Sequence, residues 1–307
     1  MWRNYLTVGL RALTKNKSYA FINIFGLTIG LAVCLLILLF VRHHLSYDAW
    51  LPDAERIYQL QSERVATDEP ATFTQQTFYP AAAALAKDFP QIEKVTAAWD
   101  TRAVILKDGQ PIDADMLMAE ENFFEVLQVP FVRGDPDSAL RDADSLVLGE
   151  AEARKYFGKA DPIGRTLTVV RRGVPNDLRV TGVLAPLPDN THLALPMVSS
   201  LSPAVFADDP EALTRWNSIP AYVYARLRPG ADVGAINAAL PSWEKRTIPV
   251  ETIGQGEMSR ADRWALHLEN VRDIHLGHFQ ESARTPGNDR TTILTFAVVA
   301  LLILAIA

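Results

Sequence analysis

His275 and His278 stand three positions apart, a spacing that on a helix turns two imidazoles to one face and could offer two nitrogens to a metal ion. No H-E-x-x-H pattern supplies a third ligand nearby, so the pair reads as structural histidines just outside a membrane. His43 and His44 are adjacent, and helical neighbours point about 100° apart and seldom share one ion. The stretch from Gly158 to Thr166 resembles a phosphate loop, but five residues separate its glycines where four are needed. It also lacks a lysine after Gly164 and leads toward a strand instead of a helix, so Asp161-Pro162 and Ile163-Gly164 read as turn chemistry. Asp135, Asp137, Asp142 and Asp144 miss the spacing of a calcium loop and read as a solvated loop. No G-x-S-x-G elbow marks a nucleophile. The one cysteine, Cys34, lies in an apolar run, which excludes an intrachain disulfide and surface thiol chemistry. These residue types in these patterns specify no active site, metal or cofactor on this chain.

The elements that enclose them are more telling. Phe21 to Val41 carries no charged side chain, and at 1.5 Å per helical residue spans roughly 31 Å, the thickness of a bilayer's hydrocarbon core. Residues 21–41 are therefore expected to form a first transmembrane helix. Thr291 to Ala307 is equally uncharged but about 25 Å long, and residues 291–307 read as a second span that the chain end cuts short. A cleaved signal peptide is the competing reading of the first run. That run exceeds the ~7–15 residues of a signal core, and no A-x-A-like site follows it.

Residues 1–20 place Trp2, Tyr5, Leu6, Gly9, Leu10 and Leu13 on one helical face, with Arg3 and Arg11 on the other. Together with Lys15 and Lys17 they describe an amphipathic helix on the inner membrane surface, with Trp2 among the headgroups and the cations against anionic lipid. The same basic residues keep the N-terminus cytoplasmic. His43, His44, Tyr47 and Trp50 then fit an interfacial aromatic belt. Within the span, Gly26 and Gly30 form a G-x-x-x-G pair that lets a neighbouring helix approach closely.

Residues 42–290 form the extracytoplasmic domain. Positions 43–290 hold 25 basic and 36 acidic groups, a net charge of −11, which excludes a nucleic-acid binder. The length suffices for a substantial core, as one large unit or as two lobes. Strands are expected at 56–63, 95–99, 103–106, 116–119, 166–171, 178–184, 221–226 and 264–269, and helices at 80–88, 121–127, 149–157 and 233–245. Their irregular interleaving predicts an α+β fold, a mixed α/β domain between two transmembrane helices, and not a doubly wound sheet.

Several segments carry a family likeness. Asn23-Ile-Phe-Gly26-Leu-Thr-Ile-Gly30-Leu-Ala, then Tyr47-Asp48 and Asp53-Ala-Glu-Arg-Ile57-Tyr58, resemble the start of ABC-transporter permeases of the MacB/FtsX type. Phe123-Phe124-Glu-Val-Leu, Phe131-Val-Arg-Gly134-Asp135-Pro, Ala139-Leu140, Leu146-Val-Leu, Ala153-Arg-Lys-Tyr-Phe157-Gly158, Asp161-Pro162-Ile163-Gly164-Arg165-Thr-Leu167 and Asp273-Ile274-His275-Leu276 resemble successive signatures of the MacB-like periplasmic core domain. The resemblance implies a multi-pass permease subunit of the bacterial inner membrane, with four or more spans and without its own ATPase. It implies a second permease subunit, identical or different, and a separate cytoplasmic ABC ATPase that carries ATP and magnesium. It also implies a periplasmic adaptor or cargo protein as the object of the movement. In such subunits ATP-driven closure is transmitted through the helices to the periplasmic domains. A two-span sensor with a periplasmic ligand-binding domain is the alternative, and continuation into a soluble signalling region would distinguish it. A tethered hydrolase is a third reading, disfavoured by the missing motifs.

Overall fold

The computed structural model describes Arg11 and residues 15–65, 71–107, 109–171, 173–253 and 256–306. Trp2 and Arg3 lie outside the described residues; Arg11, Lys15 and Lys17 are exposed. The chain divides into two compact units, one of the residues through Ser46 together with those from Asn288 on, the other Tyr47–Gly287.

The first unit is a pair of apolar helices, α1 (Lys17–Leu45) and α6 (Arg290–Ile306). At 29 residues, or about 44 Å, α1 begins four residues before the uncharged run and ends four after it. The two-span expectation is corrected in one respect: among the described residues α1 alone is long and apolar enough to cross a bilayer, while α6 is apolar but has 17 residues. The helices meet along a narrow stripe. Gly30, Cys34, Ile37 and Val41, at coiled-coil spacing, are among the less exposed positions of α1, and Ile293, Ala297, Ala300 and Ile303 are those of α6. Cys34 Sγ lies 3.5 Å from the Ala300 carbonyl, and Phe40 packs edge-to-face on Phe296.

The second unit contains β1 (Ile57–Arg64), β2 (Thr72–Thr74), α2 (Ala81–Asp88), β3 (Ile92–Lys107), β4 (Gln110–Ala119), α3 (Phe123–Leu127), β5 (Phe131–Gly134), β6 (Ser145–Gly149), α4 (Glu150–Phe157), β7 (Thr166–Arg171), β8 (Val174–Leu184), β9 (Met197–Ser200), β10 (Ala221–Leu227), α5 (Val233–Thr247), β11 (Val250–Ile253), β12 (Gly256–Ser259) and β13 (Trp264–Asn270). The α+β expectation stands in its coarse form, a mixed fold whose β3 belongs to two substructures. The first half of β3 pairs with β10 in an open sheet ordered β13-β1-β10-β3-β4. Its second half pairs with β7, and the path β3-β4-β9-β6-β8-β7 returns to β3 as a closed six-stranded barrel. The sequence pattern predicts two strands here, broken at Asp100-Thr101-Arg102; the chain runs through as one, because those polar residues lie where the sheet opens into the barrel and face partners there. Tyr222 donates to Asp100, and Arg102 sits opposite Asp115.

Alternation fills both parts. Ala103, Ile105, Met116, Leu146, Leu148, Leu167, Val169, Leu178, Val180 and Met197 close the barrel interior. On one face of the open sheet α2 and α5 bury Leu85, Leu240 and Trp243 against Leu60 and Val223, with the Trp243 indole donating to Asp88. The other face is covered by α3 and by the segment after β8, around Phe123, Phe124, Leu193 and Leu195. Asp232 caps α5 through Gly234 and Ala235.

The belt reading is corrected at two residues. Asp48 takes a left-handed φ of 55°, which turns the chain so that Tyr47 is buried on the His275 ring, centroids 3.4 Å apart, and Trp50 packs against the core around Phe123. His275 and His278 do not share a helix face: His275 is buried in a short 3-10 turn, while His278 neighbours Phe73. Gly158 to Arg165 is a turn, with positive φ at Gly158 and Gly164, and it enters β7. The aspartate loop is solvated and partly paired, Asp142 and Asp144 with Arg179.

Candidate coupling site where the chain enters and leaves the folded unit

The segment Asn190-Thr191-His192 lies between β8 and β9 and receives both ends of the folded unit. At the first end, the Asp48 amide donates to the Asn190 carbonyl at 3.0 Å, and the Asp48 carboxylate, 0% exposed, turns back onto the same segment. Its Oδ1 accepts from Thr191 Oγ1 at 2.5 Å, the His192 amide lies 3.1 Å from both oxygens, and His192 Nδ1 lies 2.8 Å from Oδ2. An acidic side chain buried this deeply is tolerable because the Thr191 hydroxyl and the His192 amide donate to it. At the other end, Thr285 Oγ1 donates to the Thr191 carbonyl at 3.2 Å. The Arg284 guanidinium donates twice to the Ala194 carbonyl and pairs with Asp100, and burial pushes it down to about 10.

From His192 the polar contacts continue into the sheet. His192 Nε2 lies 3.1 Å from the Tyr224 hydroxyl on β10, which accepts from Gln59 Nε2 on β1 at 3.1 Å; Gln61 Nε2 donates to Gln59 Oε1 at 2.8 Å. The donors can run in one direction, Gln61 to Gln59, Gln59 to Tyr224 and Tyr224 to His192 Nε2, while His192 Nδ1 lies close to Asp48 without the geometry of a hydrogen bond. The side-chain donors then point toward His192, so each bond polarises the next. Burial raises the Tyr224 phenol well above its ordinary range, which keeps it a donor. The register that pairs Gln59 with Tyr224 across β1 and β10 sets the two side chains on one face.

An aspartate, a histidine and a hydroxyl in line have the order of an acid–base relay, but the chain is closed on every side. Tyr224 and His192 are at most 3% exposed. Among the described residues, no group of three or more His, Cys, Asp or Glu side chains converges to hold a metal ion. What the arrangement can do is transmit position. A shift of Asp48 or Thr285 acts on one three-residue segment, and through His192 on the two central strands of the sheet.

Of the residues singled out from the sequence, Gly26 and Gly30 lie on α1, and apart from its chain neighbours and the backbone of its own helix no described atom lies within 4 Å of where a Gly26 side chain would begin. Lys17 opens α1. The site itself was not foreseen. Asp48 and His192 are 144 positions apart, and nothing in local periodicity joins them. The available signal was Tyr47-Asp48 beside the span, noted for its family likeness alone.

The comparisons bear on what this arrangement belongs to. The family model of the MacB-like periplasmic core domain matches residues 20–242. The chain belongs to that family. No curated protein matches it. Among solved structures, a domain of a protein described as a permease, from Porphyromonas gingivalis, is 25% identical with a TM-score of 0.56, covering 72% of this chain and 91% of that one. The periplasmic region of MacB from Actinobacillus actinomycetemcomitans is 14% identical with a TM-score of 0.47, covering 72% and 91%. The extracellular domain of the noncanonic ABC-type transporter YknZ from Gram-positive bacteria is 16% identical with a TM-score of 0.44, covering 70% and 100%. In this MacB-like core domain the segments of family likeness are chiefly structural: Phe123, Phe124 and Ile274 fill the core below the sheet, and Ala153 and Tyr156 that of the barrel.

Proposed function

We propose that this chain is a membrane subunit of an ABC transporter, a permease of the MacB/FtsX type in the bacterial inner membrane, with its N-terminus in the cytoplasm and Tyr47–Gly287 in the periplasm. ATP and magnesium belong to a separate cytoplasmic ATPase, and this chain is not itself catalytic. Its task is mechanical: α1 and α6 carry movement from the ATPase to the periplasmic unit, which acts on an adaptor or cargo protein. In this reading α6 is the second span, further spans complete the permease, and the helix of Trp2, Arg3, Arg11, Lys15 and Lys17 rests on the inner membrane surface near the ATPase. Gly26, whose face is open, and Gly30 pack against a second permease subunit or another helix of the complex.

The observation that carries this reading, beyond family membership, is the double hold on Thr191, by Asp48 from the first end of the folded unit and by Thr285 from the last. A tethered enzyme or a passive anchor has no need to fasten both ends to one buried segment; a lever does. Co-reconstitution in nanodiscs with a candidate ABC ATPase from the same organism tests the assignment. Complex formation and an ATPase rate that depends on this subunit are expected. A chain that binds no ATPase, or a Tyr47–Gly287 region that impermeant reagents fail to label from the periplasmic side, would contradict it.

A further inference from the structure

Behind the Asn190–His192 segment the surface opens into a groove of about 470 Å³, bounded by the first turn of α4, the chain from Leu184 to Asp189, and Thr191, Leu193, Leu195 and Thr285. Its floor is apolar. Leu184, Leu193 and Leu195 are buried beneath it, Leu187 packs half-buried on the same core, and Pro186 and Pro188 are exposed along one side. Its rim is acidic, with Glu150, Glu152 and Asp189 against one cation, Arg154, which is already bound to Glu150 at 2.6 Å. Among the described residues Glu152 and Asp189 have no ion-pair partner, so two carboxylates border an apolar floor uncompensated.

We infer that this groove docks a segment of a partner protein that presents one or two large apolar side chains flanked by lysine or arginine. The apolar floor takes the anchor, and Glu152 and Asp189 take the cations. Charge selects this occupant over the others. A second copy would bring its own acidic surface, since positions 43–290 carry a net charge of −11, and anionic lipid headgroups would meet the same repulsion. The exposed prolines and Asp189 leave one side open, as suits an anchor residue on a larger chain more than an enclosed small molecule. The position gives docking a consequence. Thr191 and Thr285 are both wall residues and members of the coupling site, so an occupant presses on the segment that holds both ends of the folded unit. Only that consequence rests on the permease reading; the docking itself does not.

The test uses the full chain in nanodiscs of zwitterionic lipid and, as probe, a peptide of about 14 leucines and lysines at helical spacing carrying one benzophenone. Crosslinks within 184–195 or 149–154 are expected, with binding by anisotropy that weakens as salt rises. Glu152→Lys with Asp189→Lys should weaken binding about tenfold or more, and Glu152→Gln with Asp189→Asn by a smaller factor. Both are rim substitutions, and an unchanged thermal midpoint would confirm folding. A peptide with glutamate for lysine should bind at least as weakly to the wild type. Crosslinks that map elsewhere, or affinity indifferent to both double variants, would overturn the inference. Because binding is read without ATP or ATPase, its failure is distinct from failure of coupling.

Discussion

Asp48 shows how much one buried carboxylate can organise. The Thr191 hydroxyl and the His192 amide, which reaches both oxygens, offset the cost of desolvating it, and Gln61, Gln59, Tyr224 and His192 continue from it as one buried line of polar contacts. Glu244 is the contrasting case. It is buried on α5 with one donor, the Leu266 amide at 3.0 Å, and burial pushes its carboxyl up to about 7. A carboxyl whose folded-state pKa is raised stabilises the fold only while protonated, so its contribution is complete below the unfolded value near 4.5 and is lost as pH rises through about 7. Glu244→Gln keeps the acceptor for Leu266 and removes the charge. Thermal unfolding at pH 5 and pH 8 should show the variant close to wild type at the lower pH and more stable by about 2 kcal/mol at the higher. An advantage equal at both values would mean that ionisation of Glu244 is not what the fold resists.

Among elements, α1 has two kinds of surface. The stripe through Gly30, Cys34, Ile37 and Val41 is used within the chain, against α6. Gly26 has no described atom near it outside its own helix, and Phe21, Ile22 and Leu36 are each 66% exposed. Gly26→Leu should therefore lower subunit pairing in membrane crosslinking several-fold while leaving the folding of Tyr47–Gly287 unchanged. Pairing at the wild-type level would place the contact between subunits elsewhere. This is also the scale at which the sequence was most legible. The runs at 221–226, 264–269 and 233–245 announced β10, β13 and α5 through alternation or helical spacing and their flanking turns. β6 and β9 gave no such signal: a five-residue strand whose first four positions are all buried has no alternation, and the serines of Met197–Ser200 mask a strand whose every position is buried. Closure of the barrel was illegible for the same reason, since β9 and β6 complete the ring. The coupling site escaped because its members stand on β1, β10 and the β8–β9 segment, and long-range register alone brings them together.

At the largest scale, Tyr47–Gly287 is a barrel and an open sheet that share β3 and β4, in a unit whose two ends are tied to a single internal segment. In the proposed mechanism this tie delivers helix motion to the periplasmic unit. Asp48→Asn with Thr285→Val weakens it at both ends, without touching α1 or α6. The decisive measurement is the distance between spin labels on Val174, exposed at the start of β8, in the two copies of a nanodisc-embedded complex, with the chain's one cysteine, Cys34, replaced by alanine. If the copies are identical and the ATPase is bound, the distance distribution should shift between the nucleotide-free and vanadate-trapped states in the otherwise wild-type chain. It should shift much less in the double variant, although that variant still hydrolyses ATP. A double variant that moves as far as the wild type would show that the tie at Asn190–His192 does not carry the motion.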